Sequence, residues 1–331
     1  MKKVILNYSD LTKDIGALVL LKTSFGIFIY YAVTVFLNES LFTSADFTYG
    51  YSNCSQTYSN ILYTKFICWN ASLFNIPISL ESTSLIIYAG LINIFIASIY
   101  YYYLNQYLSR RGQLLFIIFL AFHPYMAVYF FRFYVDIFAS LGILLIFIYA
   151  LKNKSIDLFF LIAAIFCMNF RSALIPVFFI YGSIEAFQNK STKKIVPIML
   201  LTSCFISYLP SYEFSLAFSQ MGEIYQNSIF SNIIYTFGFR EYVAINGINA
   251  LLESKSSGYL QLSISLLLLS AHFIGLAGLI RLSIDKNLSI MICIVYIIVP
   301  ILVISHMRYL LPLMPLLVFG FTYLFFKKKA F

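Results

Sequence analysis

The chain has 331 residues and a net charge of +9, with 61% apolar and only 11% charged residues, against roughly 25% charged in a typical soluble domain. This composition excludes an ordinary water-soluble globular domain. Apolar runs of nearly 20 residues recur along the whole length, and a helix of that length crosses a hydrocarbon layer of about 30 Å. Because the runs are continuous rather than alternating, they predict an all-α, polytopic transmembrane bundle.

Ten membrane spans are predicted in a single integral-membrane domain covering residues 1–331. They run over about 15–37, 83–104, 114–131, 133–151, 157–169, 172–188, 195–210, 259–280, 288–305 and 309–326. The polar start, Met1 to Asp14, lacks a small-residue cleavage site, which favours an uncleaved first helix over a signal peptide.

The basic residues predict the orientation of these spans. Fifteen of the 22 fall on one side of a ten-span chain and six on the other, with Lys22 inside the first span. Since cytoplasmic loops carry the excess of Lys and Arg, both termini are expected in the cytoplasm. Clustering between spans also favours membrane lipids, rather than nucleic acid, as the partner of the positive charge.

The first long outer loop, 38–82, carries an isolated acid, Asp46. A carboxylate held over the bilayer can accept a proton from an attacking hydroxyl, although a solvated loop acid is the alternative. Helically spaced apolar residues between Ile61 and Trp69 predict a surface helix in this loop. Cys54 and Cys68 leave a disulfide open. The second long outer loop is 211–258, and loops of this length are more often functional than merely connecting.

Polar residues also mark the outer ends of later spans. His123 is expected to cap a turn, and Arg132 and Asp136, four residues apart, form either an intrahelical ion pair or part of a site. Arg171, between the fifth and sixth spans, is expected to bind an anion or to pair with an acid. His272, in the middle of a span, and the span cysteines 167, 204 and 293 are expected to be packing residues.

The last span opens with HMRYLLPLMP, in which His306 and Arg308 face the outer side. The planar guanidinium of Arg308 matches two phosphate oxygens at once. On a regular helix the two residues would diverge by about 200°, so only one of them would face a cavity unless the turn before Tyr309 is irregular. Arg308 suits a phosphate better, because its positive charge is fixed. The alternative is that Arg308 only anchors the helix at the lipid headgroups.

These residues resemble the GT-C superfamily, integral-membrane glycosyltransferases that use polyprenyl-phosphate or polyprenyl-diphosphate sugars. The resemblance rests on Asp46 in ADFTY, on HPYMAVYFFRFYVD, on NFRSALIP and on RYLLPLMPLL. It implies inverting transfer to a glycan or lipid-linked acceptor at the periplasmic face of a bacterial inner membrane, in O-antigen or capsule synthesis. It implies Asp46 as general base and Asp136 as a second acid, with the lipid phosphate held by Arg308, Arg171, Arg132 and His306.

The chain departs from that family in two ways, because Asp46 has no adjacent carboxylate and no soluble C-terminal domain follows. Whether a divalent cation is needed therefore stays open. No zinc-ligand spacing, GxxxxGK[ST] or GxGxxG motif is present, so no other cofactor is expected. Two alternatives remain: an O-antigen or capsule polymerase using polyprenyl-diphosphate oligosaccharides, and a flippase for lipid-linked sugars. A flippase would need a polar route, whereas the predicted charges gather on the outer side.

Overall fold

The structure is a computed structural model and describes residues 8–32, 83–123, 126, 135–170, 174–188, 257–294, 296 and 307–328. It contains eight principal helices: α1 (Tyr8–Tyr31), α2 (Thr83–Leu104), α3 (Arg110–Phe122), α4 (Val135–Leu151), α5 (Leu158–Phe170), α6 (Ile175–Gln188), α7 (Ser257–Asp285) and α8 (Met314–Phe326). Three 3-10 helices cover Asn105–Tyr107, Leu288–Ile290 and Met307–Leu313. Within these ranges no strand occurs, only an isolated bridge between Leu108 and Lys327. The all-α prediction is confirmed.

Several predicted spans agree with the observed helices. The bounds of α2 are those of the second span, and α4, α5 and α6 lie within three residues of theirs. The seventh span, both long outer loops, the surface helix and Cys54 with Cys68 lie outside the described residues, as does most of the ninth span.

The first and third helices differ from prediction. Helix α1 begins at Tyr8 rather than residue 15, and α3 begins at Arg110 rather than residue 114. The added first turns of the two helices carry opposite charges, and Arg110 of α3 forms an ion pair with Asp14 of α1. Helix α3 ends at Phe122, and His123 has an extended backbone with ψ of 114°. A residue that precedes a proline disfavours the helical conformation, and residue 124 is a proline.

Among the described residues, two helices are long and apolar enough to cross a membrane, over Ser9–Tyr31 and Leu266–Asp285, and four further apolar helices are shorter. Large apolar side chains are exposed on almost every helix, among them Phe28, Phe95, Phe159, Phe187, Leu267 and Phe325. Exposed apolar surface on this scale is typical of proteins that contact a membrane or another protein.

The chain divides into two compact units. Unit 1 comprises Met1–Gln56, Thr64–Ile137 and Phe325–Phe331. Its core lies between α1, α2 and α3 and is built from large buried side chains such as Tyr100, Tyr101 and Phe116. The Phe25 and Phe122 rings, 5.1 Å apart between centroids, join α1 to the end of α3. A single domain over residues 1–331 stays a prediction.

Unit 2 comprises Thr57–Tyr63 and Phe138–Leu324, and most of α4 lies at its centre. Along α4 the side chains of Ile143, Ile146 and Phe147 are fully buried. Helices approach α4 closely at Gly142, where an added Cβ would lie 2.8 Å from Leu174 Cδ1 and 3.0 Å from Cys167 Cβ. Cys167 and Cys293 are buried and free, as expected for packing residues.

Candidate functional site

The predicted site lies largely outside the described residues. Asp136 is in the first turn of α4 and Arg308 is in the 3-10 helix Met307–Leu313, but the structure describes only their backbone. The other predicted members of the site, Asp46, Arg132, Arg171 and His306, fall outside the described residues. The structure therefore bears on this site only through the helices that lead to it.

Helices α4 and α5 form an antiparallel pair. The Tyr149 hydroxyl donates to Asp157 Oδ1 at 2.7 Å, and the rings of Tyr149 and Phe160 are 4.8 Å apart. One to two turns back along α4, Gly142 packs against Cys167 of α5. Helix α5 therefore ends, at Phe170, away from the turn that carries Lys152 and Lys154. Arg171 is the next residue in the sequence.

Helices α7 and α8 run parallel and touch through glycine. Gly275 lies against the backbone of Leu317, and Gly278 lies against the carbonyl of Gly320. The contact requires glycine, because an added Cβ would overlap the opposing backbone. Further along both helices, Tyr323 donates to Asp285 at 3.4 Å.

The far ends of these two pairs meet in unit 2. Asn287 Nδ2, just after α7, donates to Ala150 O at 2.9 Å and to Asn153 Oδ1 at 2.6 Å. The C-terminal ends of α4 and α7 and Tyr323 of α8 therefore share one end of unit 2. The exit of α5 and the start of the segment at Arg308 consequently share the opposite end. A helix rises 1.5 Å per residue, so the two ends are about 20 Å or more apart.

The segment that carries Arg308 is irregular, which is the alternative that the sequence left open for the turn before Tyr309. Met307–Leu313 is a 3-10 helix containing Pro312, and Pro315 lies in the first turn of α8. Neither proline can donate a backbone hydrogen bond, so the carbonyls of Arg308 and Leu311 lose their α-helical partners. In a 3-10 helix successive side chains turn by about 120° and residues three apart eclipse.

In unit 1 the best-defined polar cluster surrounds Asp14, whose side chain is 9% exposed. Its carboxylate accepts from the Tyr101 hydroxyl at 2.7 Å and from both terminal nitrogens of Arg110, with Nη2 at 2.9 Å from Oδ1. Arg110 also donates to Gln113 Oε1 at 3.2 Å. The hydrogen bond from Arg110 to Asp14 raises the pKa of the guanidinium above its ordinary value.

The Asp14 cluster stabilises the packing of α1, α2 and α3. Arg110 and Arg111 occupy the first turn of α3, where the positive end of the helix dipole disfavours cations. Asp14 supplies a compensating negative charge from α1, and Tyr101 joins α2 to the same carboxylate. With both oxygens engaged by a bidentate arginine, Asp14 is poorly placed to act as a general base.

Two further charged residues are buried, and sequence reasoning did not assign them a role. Lys22, 1% exposed, donates to Leu120 O at 3.2 Å, a carbonyl in the last turn of α3, as a cation at the negative end of a helix does. Glu185 is buried in the last turn of α6. A charge inside an apolar run marks a functional or pairing position by default, and that signal was available for both.

His123 and His272 agree with prediction. His123 caps the end of α3, and its Nδ1 accepts from Met126 N at 3.4 Å. His272 is buried in α7, as expected of a packing histidine. Among the residues that the structure describes, no three His, Cys, Asp or Glu side chains group as metal ligands do.

Comparison with known protein families, with curated proteins and with solved structures finds no match for this chain. The assignment of a function therefore rests on the residues and on the fold.

Proposed function

We propose that this chain is a multi-pass protein of a bacterial inner membrane, with ten spans and both termini in the cytoplasm. Large apolar side chains such as Phe28, Phe95 and Leu267 are exposed and need a lipid environment. In unit 2 the basic residues Lys152, Lys154 and Lys286 lie beside the linked helix ends at Ala150 and Asn287. This grouping supports a cytoplasmic position for that end, because positive residues accumulate there.

We further propose that the protein is a glycosyltransferase of GT-C type that uses a polyprenyl-phosphate-linked sugar. The acceptor hydroxyl oxygen bonds to the anomeric carbon of the sugar, and the bond from that carbon to the lipid phosphate breaks. The electron pair leaves on the phosphate, and the hydroxyl proton passes to Asp46. Attack opposite the leaving group inverts the anomeric configuration. The proposed binding groups for the lipid phosphate are Arg308, Arg171, Arg132 and His306, with Asp136 as a second acid.

One observation carries this proposal. In unit 2 the exit of α5, which leads into Arg171, and the start of the last helical segment, which holds Arg308, lie at the same end. That end is opposite to the one bearing Lys152, Lys154 and Lys286. Arginines at these two positions would suit a phosphate at the membrane surface, because a guanidinium gives paired, charge-assisted hydrogen bonds to phosphate oxygens.

A second candidate, transport of a lipid-linked sugar, is favoured by Glu185. This buried acid lies toward the end of unit 2 that bears Lys152, Lys154 and Lys286. Along α6, Phe178 contacts Gly142 of α4, and one turn later the Tyr181 ring lies 5.5 Å from the Phe160 ring. Glu185 adds a charged residue toward the cytoplasmic ends of the helices, whereas the sequence predicted charges on the outer side. Activity of the purified protein in detergent, where no gradient exists, separates an enzyme from a transporter.

Substitution of Arg308 tests the proposed role of the outer arginines. Arg308→Ala is expected to remove most transfer, and Arg308→Lys to restore only part of it, because an ammonium cannot reproduce a two-pronged contact. The matched control is Arg281→Ala at the opposite end of unit 2, where the exposed side chain pairs with Asp285 at 3.2 Å. It should retain transfer. Full activity of Arg308→Lys with an unchanged donor KM would show that Arg308 is only a lipid anchor.

A further inference from the structure

In unit 1, helix α3 ends with a backbone carbonyl that cannot find a donor in its own helix. The carbonyl of Leu120, in the last turn, would accept from the backbone N–H of residue 124 if the helix continued. Residue 124 is a proline, which has no backbone N–H, and α3 ends at Phe122. A buried carbonyl without a donor is costly, so the end of α3 needs a donor from another part of the protein.

Lys22 of α1 supplies this donor. It lies 98 residues from Leu120 in the sequence, and its Nζ donates to Leu120 O at 3.2 Å. A lysine near a membrane usually extends its amine to water or to the lipid headgroups, whereas Lys22 is buried. Because burial of an amine is unfavourable unless hydrogen bonds compensate for it, the contact with the end of α3 accounts for a lysine at this position.

An apolar contact holds the same end of α3. Phe25 lies three residues after Lys22 on α1, and its ring is 5.1 Å from the ring of Phe122. Residues three apart share one face of a helix, so a single face of α1 holds the last turn of α3. At their other ends the two helices are joined by Asp14 and Arg110. Helices α1 and α3 therefore run parallel and are fixed to each other at both ends.

The chain that leaves α3 is held by side chains at its start. His123 has an extended backbone, and its Nδ1 accepts from Met126 N at 3.4 Å. Both residues are buried. The connection that begins here leads to Arg132, nine residues after His123, and to Asp136, thirteen residues after it. Both belong to the proposed site, so the end of α3 is the anchor of a connection that carries site residues.

We propose that Lys22 is a positioning residue, which replaces the backbone donor that Pro124 lacks and thereby sets how the connection to Arg132 leaves α3. Lys22 touches neither the sugar nor the phosphate and acts through the end of α3. Its effect on transfer rests on the proposed function, whereas its effect on the stability of the protein does not. The two effects are therefore measured separately.

The first test is a double-mutant cycle on the thermal midpoint of the full-length protein in detergent. Lys22→Met keeps the length of the side chain and removes the donor, so the midpoint should fall by roughly 3–6 °C. Pro124→Ala restores a backbone N–H for Leu120 O. In that background Lys22→Met should lower the midpoint by less than about half as much. The matched control is Lys13→Met at an exposed position of α1, which should stay within about 1 °C of the wild type.

An equal loss of midpoint in both backgrounds would overturn the replacement of the proline's missing donor by Lys22. If Lys22→Met alone does not fold, recovery of folded protein in Lys22→Met/Pro124→Ala is the expected result. Failure of both variants to fold would then overturn the proposal.

The second test measures transfer from a polyprenyl-phosphate sugar by the variants that fold. Loss of folded protein lowers the amount of active enzyme and thus the apparent kcat alone, whereas a displaced binding group raises the donor KM. Lys22→Met should raise the donor KM roughly tenfold, with kcat changed less than about threefold, and Pro124→Ala should restore most of the difference. An unchanged donor KM would show that Lys22 only stabilises the fold. Absence of transfer by the wild type would refute the proposed function and the positioning role with it, while the midpoints alone would still decide whether Lys22 replaces the donor.

Discussion

At the scale of single residues, Asp14 explains how an apolar helix begins within a charged stretch. The carboxylate is largely buried and receives Tyr101 and both terminal nitrogens of Arg110. Asp14→Asn keeps the size and removes the charge. We expect it to lower the free energy of unfolding by about 1–2 kcal/mol, less than for a fully buried pair because Arg110 is 56% exposed.

The measurement is the thermal midpoint in detergent. The control is Asp10→Asn, the same substitution at an exposed position of α1, which should stay within about 0.5 kcal/mol of the wild type. Equal midpoints for both variants and the wild type would mean that the Asp14 cluster contributes nothing to stability.

Asp157 allows a pH-dependent test. It precedes α5, and its Oδ1 accepts from the backbone N–H of Phe160 at 2.8 Å. That bond, followed by the one from Tyr149, lowers the pKa of the Asp157 carboxyl. A group with a lowered folded pKa stabilises the protein above its unfolded pKa of about 3.9 and loses that contribution as the pH falls through the folded pKa.

We therefore expect Asp157→Asn to be less stable than the wild type at pH 7 and equal to it at a sufficiently low pH. The measurement is the difference between the two thermal midpoints from pH 7 downward. A difference that stays constant to about pH 3 would show that the ionised carboxylate has no part in it.

At the scale of elements, α7 and α8 run parallel and their backbones are in direct contact. A Cβ on Gly278 would overlap the carbonyl oxygen of Gly320. Because backbone cannot move aside as a flexible side chain does, Gly278→Ala should cost about 1–3 kcal/mol. Gly16→Ala in α1 is the control, since nothing lies within 4 Å of its added Cβ, and it should be neutral or stabilising. Equal thermal stability of the two variants would contradict the glycine contact.

The helices differ in how well the sequence predicts them. Continuous apolar runs define α2 and α4 to α6 within three residues, because hydrophobicity alone sets their length. Helices α1 and α3 begin before their predicted spans, at Tyr8 and Arg110, because the ion pair between Asp14 and Arg110 lets both helices continue through charged residues. Asp14 and Arg110 are 96 residues apart, and a single sequence does not reveal such a pair.

Prediction of the candidate site is limited in the same way, because a single sequence shows local structure but not long-range contacts. The turn at His123 was predictable, because the following proline fixes its local backbone. The 3-10 helix at Arg308 follows from Pro312 and Pro315, and it agrees with the irregular turn that the sequence left open there. The convergence of Asp46, Arg132 and Arg171 depends on long-range packing and stays a prediction.

At the scale of the whole molecule, orientation is the first requirement of the proposed function. Reporter fusions after residues 111, 154 and 286 should be cytoplasmic, and those after 60, 240 and 308 periplasmic. The reason is that basic residues accumulate on the cytoplasmic side, while the outer arginines need the opposite one. Two or more inverted fusions would separate the polar residues of the site onto different faces.

One measurement tests directly whether the protein transfers a sugar from a lipid phosphate. Purified protein in detergent, without a gradient, is incubated with polyprenyl-phosphate sugars and a lipid-linked acceptor, and the product is identified by mass spectrometry. We predict an acceptor that gains one sugar with inverted configuration, and a rate that falls by roughly 10²-fold or more in Asp46→Asn. Transfer of a whole oligosaccharide from a diphosphate donor alone, or no product while the same protein moves lipid-linked sugar across vesicles, would contradict it.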